Sequence, residues 1–495
     1  MPAIGKRLKI CIAMSAGLLV ADRLTYAQNA VWSGHYGGYY NDGSYAVVPT
    51  ADGGYYSVGS TYSLTKDHDI FLLRLDSIGD TIWTQTFGGS ATDYGRDVVV
   101  TDDSGCIIVG STVSSGAGKE DLIVMSISSS GNLEWSKTYG GANSDEGWSV
   151  RKTRDGNIIV CGTTSSSGAG YGDLWLLKLT TSGDSIWAKT FGGAGGESGM
   201  SVREAFDGYI AVGSTGSFGE GYSSIYAVKT NLNGDSVWVK TFGGPKSDIG
   251  FGVEISNLGD YIIAGATGSY GQGYNDAYIL DITPSGDVVW EKTYGGLKDD
   301  RAYSVCTTPG GDLIVAGTTE SSGQGAVDIY LLRLNPIGDL VWNKTFGGTL
   351  SDYARSVAVD SKGNYILAGY SYSYTLGGSD LYLLAVSGDA PTAVEEIPTD
   401  NLPDGFLLEQ NYPNPFNGAT RIQFSIPRRE SFSLTIYNLL GQQVRQWSEI
   451  SHGPGLFVLE WDGTNERGEE VASGVYLYQF ATRDYSSSKK MILVK

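Results

Sequence analysis

Histidine is scarce in this chain: His35, His68 and His452 are the three in 495 residues, too few and too scattered for a multi-histidine metal or catalytic centre. Cysteine is nearly as sparse, with Cys11, Cys106, Cys161 and Cys306. Cys11 falls in the leader read below, the other three form an odd set on apolar segments, and no Cys-x-x-Cys spacing occurs, so neither a disulfide framework nor a zinc site is expected. Positive charge is short as well. Against 54 Asp and Glu there are 34 Lys and Arg, a formal net charge of −20, which leaves no basic stripe to neutralise a phosphate backbone and argues against nucleic acid as a partner. The apolar run at 10–21 is about a dozen residues, short of the ~20 that span hydrocarbon as a helix, and no other segment could do so. Heptads, HExxH, GxSxG and phosphate-binding glycine loops ahead of a helix are missing too.

What is abundant is glycine and aromatic side chains: 71 Gly, 32 Tyr and 11 Trp, a bias toward turns and strands. The signature Trp-x-x-x-[Phe/Tyr]-Gly-Gly recurs at Trp32, Trp83, Trp135, Trp187, Trp238, Trp290 and Trp342, a period of about 52 residues. Each unit carries four β-rich segments, a to d, as in GWSVRKT, NIIVCGT, DLWLLKL and SIWAKTF. Asp155-Gly156 types the a-to-b link as a tight turn, Gly183-Asp184 does the same between c and d, and the b-to-c link is longer and rich in Ser and Gly. Segments b and c are apolar at nearly every position, which suits strands covered on both faces.

Four short strands per unit, seven times over, predict an all-β chain built as a seven-bladed β-propeller over 28–390, with each repeated Trp docked between blades. The order of the segments predicts how the ring closes. A lone d segment at 31–38 comes first, and the last copy supplies only a, b and c near Ser356, Tyr365 and Leu381, so the first strand is expected to complete the last blade and remove two open sheet edges.

Residues 1–27 read as a secretory signal peptide, with Lys6, Arg7 and Lys9 before the apolar run and a cleavage site between Ala27 and Gln28. After the repeats, 391–405 is an acidic linker with Pro391, Pro398 and Pro403. From 406 to 495 a new alternation (RIQFSI, SLTIYNL, FVLEWDG, GVYLYQF) predicts a small Ig-like β-sandwich.

That tail carries a series of motifs: Tyr412-Pro413-Asn414-Pro415-Phe416-Asn417, Thr420-x-Ile422-x-Phe424-x-Ile426-Pro427, Ile436-Tyr437-Asn438-x-x-Gly441-Gln442, Trp461-Asp462-Gly463, Ser473-Gly474-Val475-Tyr476 and Lys489-Lys490-Met491. Together they resemble the type A C-terminal sorting domain of the type IX secretion system, and they are similar to the Ig-like domain of flagellar hook-capping proteins. The resemblance implies a secreted or cell-surface protein carried across a Gram-negative outer membrane, with the secretion machinery as partner and the tail as address. More loosely, the repeats resemble secreted bacterial propellers, some of which carry names of carbohydrate-active enzymes. Leu75-Asp76-x-x-Gly79-Asp80-x-x-Trp83 is similar to the blade tail of quinoprotein-like propellers, but without a vicinal Cys pair no quinone cofactor is expected.

Two rows of acids repeat with the blades. One is Asp42, Asp93, Asp145, Glu197, Asp248, Asp300 and Asp352; the other, before segment c, is Asp69, Asp121, Asp173, Asp276, Asp328 and Asp380, broken by Ser224. The d-to-a and b-to-c links share one face of a propeller, so both rows crowd that face. A residue demanded in every blade reads first as a turn former; the alternative is calcium or a cationic ligand at oxygen-rich loops. No resident cofactor, metal ligand or catalytic residue is assigned. Lys66-Asp67-His68-Asp69 breaks the Ser/Gly pattern of the long loops and makes Asp67, His68 and Asp69 a candidate ligand site. With Tyr62, Tyr171, Tyr222, Tyr270, Tyr274, Tyr372 and Tyr374 in those loops, the expected function is binding of an extracellular glycan or protein; a polysaccharide-acting enzyme using acids of this face is the alternative.

Overall fold

The computed structural model describes residues 30–65, 67–375, 377–388, 395–397 and, with short gaps, 405–494. The predicted leader, including Ala27 and Gln28, lies outside them, as does most of the linker. Among the described residues every regular element is a strand, and no helix is long and apolar enough to cross a membrane. The chain divides into two compact units, 1–387 and 388–495.

The first unit is a ring of seven four-stranded antiparallel sheets. Blade 1 runs Asp42–Pro49, Tyr55–Thr61, Asp69–Leu75 and Thr81–Phe87 as strands a to d. Blades 2 to 6 repeat it, and blade 7 takes a, b and c from Asp352–Val359, Tyr365–Ser371 and Asp380–Val386 and its d strand from Ala30–Tyr36. The expected closure is present, with Tyr36 opposite Leu381 and Ala30 opposite Val386. Strands b and c are buried along almost their whole length, while d strands such as Thr81–Phe87 lie open on the outside. Apolar cores form between neighbouring blades. The one that seals the ring packs Trp32, Tyr36, Ile366, Leu381 and Leu383 of blade 7 against Tyr55, Phe71 and Leu73 of blade 1.

A second ring of contacts runs around one face. The first residue of each a strand donates its N–H to the carbonyl just before strand c of the preceding blade: Asp93 to His68 at 2.6 Å, Asp145 to Glu120 at 2.8 Å, Asp248 to Ser223 at 2.9 Å. Asp42 does the same to Ser379 at 2.7 Å, so blade 7 meets blade 1 as every other pair meets. The repeated tryptophans sit where expected but are less covered. Trp32 is buried beside Tyr55, whereas Trp83 and Trp238 are half-buried and donate Nε1–H to the next blade's c-to-d turn, at Ser129 O and Pro284 O.

Strand a carries one structural irregularity in every blade. Pairing with strand b skips one residue, a β-bulge, at Tyr45, Arg96, Trp148, Met200, Phe251, Tyr303 and Arg355. Opposite each bulge strand b has a glycine. A Cβ on Gly59 would come within 1.8 Å of the Gly43 carbonyl oxygen, so the close approach of the two backbones requires glycine there. The bulged residues turn toward the axis of the ring.

The second unit is a β-sandwich. One sheet orders Glu395–Ile397, Gly455–Trp461, Thr420–Ile426 and Leu407–Leu408; the other orders Gln443–His452, Glu430–Asn438, Gly474–Thr482 and Ser486–Leu493. The segment read as linker thus contributes a short strand, pairing Glu395–Ile397 with Leu456 to Val458. Phe424, Phe457, Trp461, Tyr478 and Phe480 form the core.

Candidate functional site

All seven acids of the first row are at most 2% exposed, and hydrogen bonds within their own loops account for their position. Asp145 accepts from Gly141 N–H at 2.9 Å, from Ser166 Oγ–H at 2.6 Å and from the Thr164 hydroxyl. Asp248 repeats the set with Gly244 at 2.8 Å, Ser269 at 2.8 Å and Thr267. Asp42, Asp93, Asp300 and Asp352 likewise join the second glycine of their aromatic-Gly-Gly turn to a serine of the b-to-c loop. Burial raises the Glu197 carboxyl, but donors from Ser217, Gly193 and Thr215 outweigh it and hold the group below its ordinary value. Each acid therefore ties the two loops of its blade together. Replacing Asp248 by Ala orphans these donors and is expected to cost about 1–3 kcal/mol, read by thermal melting.

The second row is also buried. Asp121 accepts from Gly118 N–H at 2.9 Å and Asp276 from Gln272 and Gly273. Its members approach the first row of the next blade across a glycine: a Cβ on Gly140 would lie 2.5 Å from Asp121 Oδ1 and 2.6 Å from Asp145 Oδ2. At the closing junction burial, and then the charge of Asp42, push the Asp380 carboxyl up to about 7. A folded value above the ordinary 3.8 means stability that is full below about pH 4 and lost as pH rises toward 7. Asp380→Asn is expected to melt a few degrees above the parent at pH 8, with the gap closing near pH 4 in a pH series of melting curves. Among the described residues no three His, Cys, Asp or Glu side chains converge as metal ligands.

Asp67, His68 and Asp69 close the b-to-c loop of blade 1, where Asp93 of blade 2 bonds the His68 carbonyl. Asp69 is buried, its carboxyl raised by burial and then by Asp93. His68 is half-buried, its imidazole lowered by burial against the opposing pull of Asp42 and Asp67. Its ring belongs to an aromatic row. Tyr39 meets Tyr40 at 5.6 Å, Tyr40 meets Tyr62 at 5.4 Å, Tyr62 meets His68 at 5.2 Å and His68 meets Tyr94 at 5.5 Å between ring centroids. Tyr39, Tyr40, Asn41, Tyr62, His68, Gly377 and Gly378 line an open cavity of about 410 Å³. Tyr39 and Tyr40 are 68% and 54% exposed. No other blade repeats this: the two positions after Gly-Gly hold Ser90-Ala91, Ala142-Asn143, Ala194-Gly195, Pro245-Lys246, Leu297-Lys298 and Thr349-Leu350. Of the loop tyrosines, Tyr171, Tyr222 and Tyr274 project into solvent, whereas Tyr270 and Tyr374 donate to the Gly243 and Gly347 carbonyls.

A further set was not anticipated from the sequence. The seven bulged residues line a small axial cavity of about 90 Å³. Arg96 lies 4.4 Å from the Tyr45 ring centroid, 4.7 Å from Tyr94 and 4.3 Å from Trp148, and Arg355 lies 4.3 Å from Tyr303. The available signal is the contrast between repeats. The bulge position reads Tyr, Arg, Trp, Met, Phe, Tyr, Arg while a small residue (Ser, Gly or Ala) always precedes it. Its identity is not dictated by the blade.

In the second unit the tail motifs divide into buried and exposed parts. Asn411 is buried and joins the Tyr478 hydroxyl, Thr420 and the Pro413 carbonyl. Phe416 is buried against Trp461 at 5.6 Å, and its backbone bonds Ile492 and Val494. Asn414 accepts from Ile492 N–H at 3.0 Å, so 411–417 straps the last strand. Tyr412 is exposed.

Residues 410–495 match the family model of the secretion system C-terminal sorting domain. No curated protein matches the chain in sequence. Among solved structures the chain is similar to PorZ, a surface component of the type IX secretion system of Porphyromonas gingivalis, at 13% identity and a TM-score of 0.46, over 97% of this chain and 63% of that one. It is similar also to the WD40 domain of Neurospora crassa Pan2, at 13% identity and a TM-score of 0.44, over 70% of this chain and 89% of that domain. The chain thus spans about three fifths of the length of PorZ, and the fold assignment rests on its own strand order. The strand topology and the matched tail make this a β-propeller protein with a type IX C-terminal sorting domain, exported to the surface of a Gram-negative cell or beyond it.

Proposed function

We propose that the exported propeller is a binding protein whose ligand sits in the groove between blades 7 and 1, and that the ligand is an extracellular saccharide. The supporting observation is the exposed aromatic row, Tyr39, Tyr40 and Tyr62 with His68, found at this junction alone. Tyrosine rings offer broad apolar faces at low entropic cost, with a hydroxyl for polar contact at the edge. Sugar rings present matching C–H faces between their hydroxyls. The repeated acids of the first row, by contrast, are buried and accept hydrogen bonds from their own loops, which favours recognition through the side chains that differ between blades.

Retention of the full chain on immobilised polysaccharides, with release of reducing ends followed in parallel, tests this. Retention without release is expected, with a loss of roughly tenfold or more in affinity for Tyr40→Ala with Tyr62→Ala at unchanged melting temperature. Retention that survives the double substitution would move the site elsewhere. Release of reducing ends abolished by Asp67→Ala with Asp69→Ala, in a folded protein, would favour the polysaccharide-acting enzyme instead.

A further inference from the structure

The axial cavity holds two guanidinium groups that no carboxylate neutralises. Other arginines of the innermost strands are paired: Arg151 with Asp97 at 2.5 Å, Arg203 with Glu254 at 3.1 Å and Arg301 with Asp299 at 2.8 Å. Arg96 and Arg355 instead lie against aromatic faces, and the Nε of each is buried with no hydrogen-bond partner among the described residues. Arg355 donates to the Tyr370 hydroxyl at 3.1 Å. Cation–π contact returns about 1–2 kcal/mol to a desolvated guanidinium, less than the several kcal/mol that removing an ion from water costs. Solubility does not explain the cations in a chain of net charge −20. Asp97 also lines the cavity but is taken by Arg151; Glu146 feels Arg96 as well, its carboxyl raised by burial and then by Glu120 and drawn down only in part by Arg96.

We infer that this cavity is a site for one small oxyanion, a carboxylate or a sulfate-sized ion, held between Arg96 and Arg355 with Tyr45, Trp148 and Tyr303 as its walls. A planar fork of N–H donors matches such an anion bidentately, and the free Nε groups supply that fork. A cavity of about 90 Å³ takes the acid group and not a sugar ring. The anion is either free in solution or the acid group of a larger molecule entering from the loop-rich face.

Melting of the full chain at constant ionic strength, with chloride replaced stepwise by sulfate, acetate or glucuronate, tests the site. A ligand of the native state gives a rise that follows its occupancy. The expected result is a saturating rise whose midpoint moves on the order of thirtyfold to higher concentration in Arg96→Gln or Arg355→Gln, with Arg96→Lys intermediate. Saturation by sulfate or acetate identifies a free oxyanion; saturation by glucuronate alone identifies the acid group of a sugar. A rise that stays linear in the parent protein, or that both glutamine variants reproduce, is a general salt effect and overturns the inference. Where a variant does not fold, calorimetric titration of the parent with sulfate decides alone, since absence of saturable heat with all three anions is equally fatal. The Tyr40→Ala and Tyr62→Ala substitutions leave this response unchanged, which keeps it distinct from the groove.

Discussion

Removing residues 406–495 is expected to abolish display at the cell surface while leaving a folded propeller. Among the described residues the two compact units have separate cores: Phe424, Trp461 and Phe480 belong to the tail cluster, and the seven clusters of the propeller contain no tail residue. Truncation therefore removes an address without opening the ring. In a host with type IX secretion, fractionation should find the truncated chain in the periplasm, and protease added to intact cells should not reach it. Surface exposure equal to that of the full chain would show that the address lies elsewhere. A milder form of the same test is Phe416→Ala. Phe416 is buried against Trp461 and its backbone straps the last strand, so the change should cost about 3–5 kcal/mol in the sandwich and leave the propeller transition where it was.

Deleting Ala30–Tyr36 should be the most damaging change to the propeller itself. This strand pairs along its length with Asp380–Val386 and sends Trp32 and Tyr36 into the core that joins blade 7 to blade 1. Loss of two buried aromatics at about 3–5 kcal/mol each is comparable to the 5–15 kcal/mol net stability of a whole domain. It also exposes the edge of Asp380–Val386, a template for pairing with another chain. The expected outcome is loss of a cooperative melting transition, self-association and rapid proteolysis of blade 7 in limited digestion. A cooperative transition near that of the parent would mean that the ring does not depend on this closure. His35, in the same strand, stacks on Tyr382 at 4.4 Å, and burial lowers its imidazole to about 4, so the closing strand is held with the ring neutral.

The ring was legible because its markers are local and repeated. A Trp, a Gly pair and a tight turn in each unit sit at nearly constant spacing, and a lone d segment ahead of the first complete unit leaves few ways to arrange seven sheets. The acids were legible as positions but not as roles. Their repetition alone is compatible with turn formation or with cation binding, and only the donors from Gly141, Ser166 and their counterparts show what occupies them. The axial set was illegible for a physical reason. A one-residue bulge changes which side chains face the channel, and alternation read straight along strand a would place Arg96 with the wrong neighbours. The groove was half-legible. Asp67 and His68 stood out as an irregular loop, but Tyr39 and Gly377 come together only through ring closure, where Gly378 N–H reaches Tyr39 O at 2.9 Å. Glu395–Ile397 was hidden for a similar reason, its acidic, proline-flanked sequence being recruited into a sheet by a partner some sixty residues on.

The central claim is that positions repeated in every blade build the propeller and positions that differ between blades bind its ligand. The most direct measurement sets Asp248→Ala beside Tyr40→Ala with Tyr62→Ala, recording melting temperature and polysaccharide retention for each protein in the same buffer. The acid variant should show a lowered melting temperature with retention intact, and the tyrosine variant an unchanged melting temperature with retention lost. Loss of retention at unchanged melting for Asp248→Ala, with the tyrosine variant still bound, would contradict the claim and return the binding role to the repeated acids.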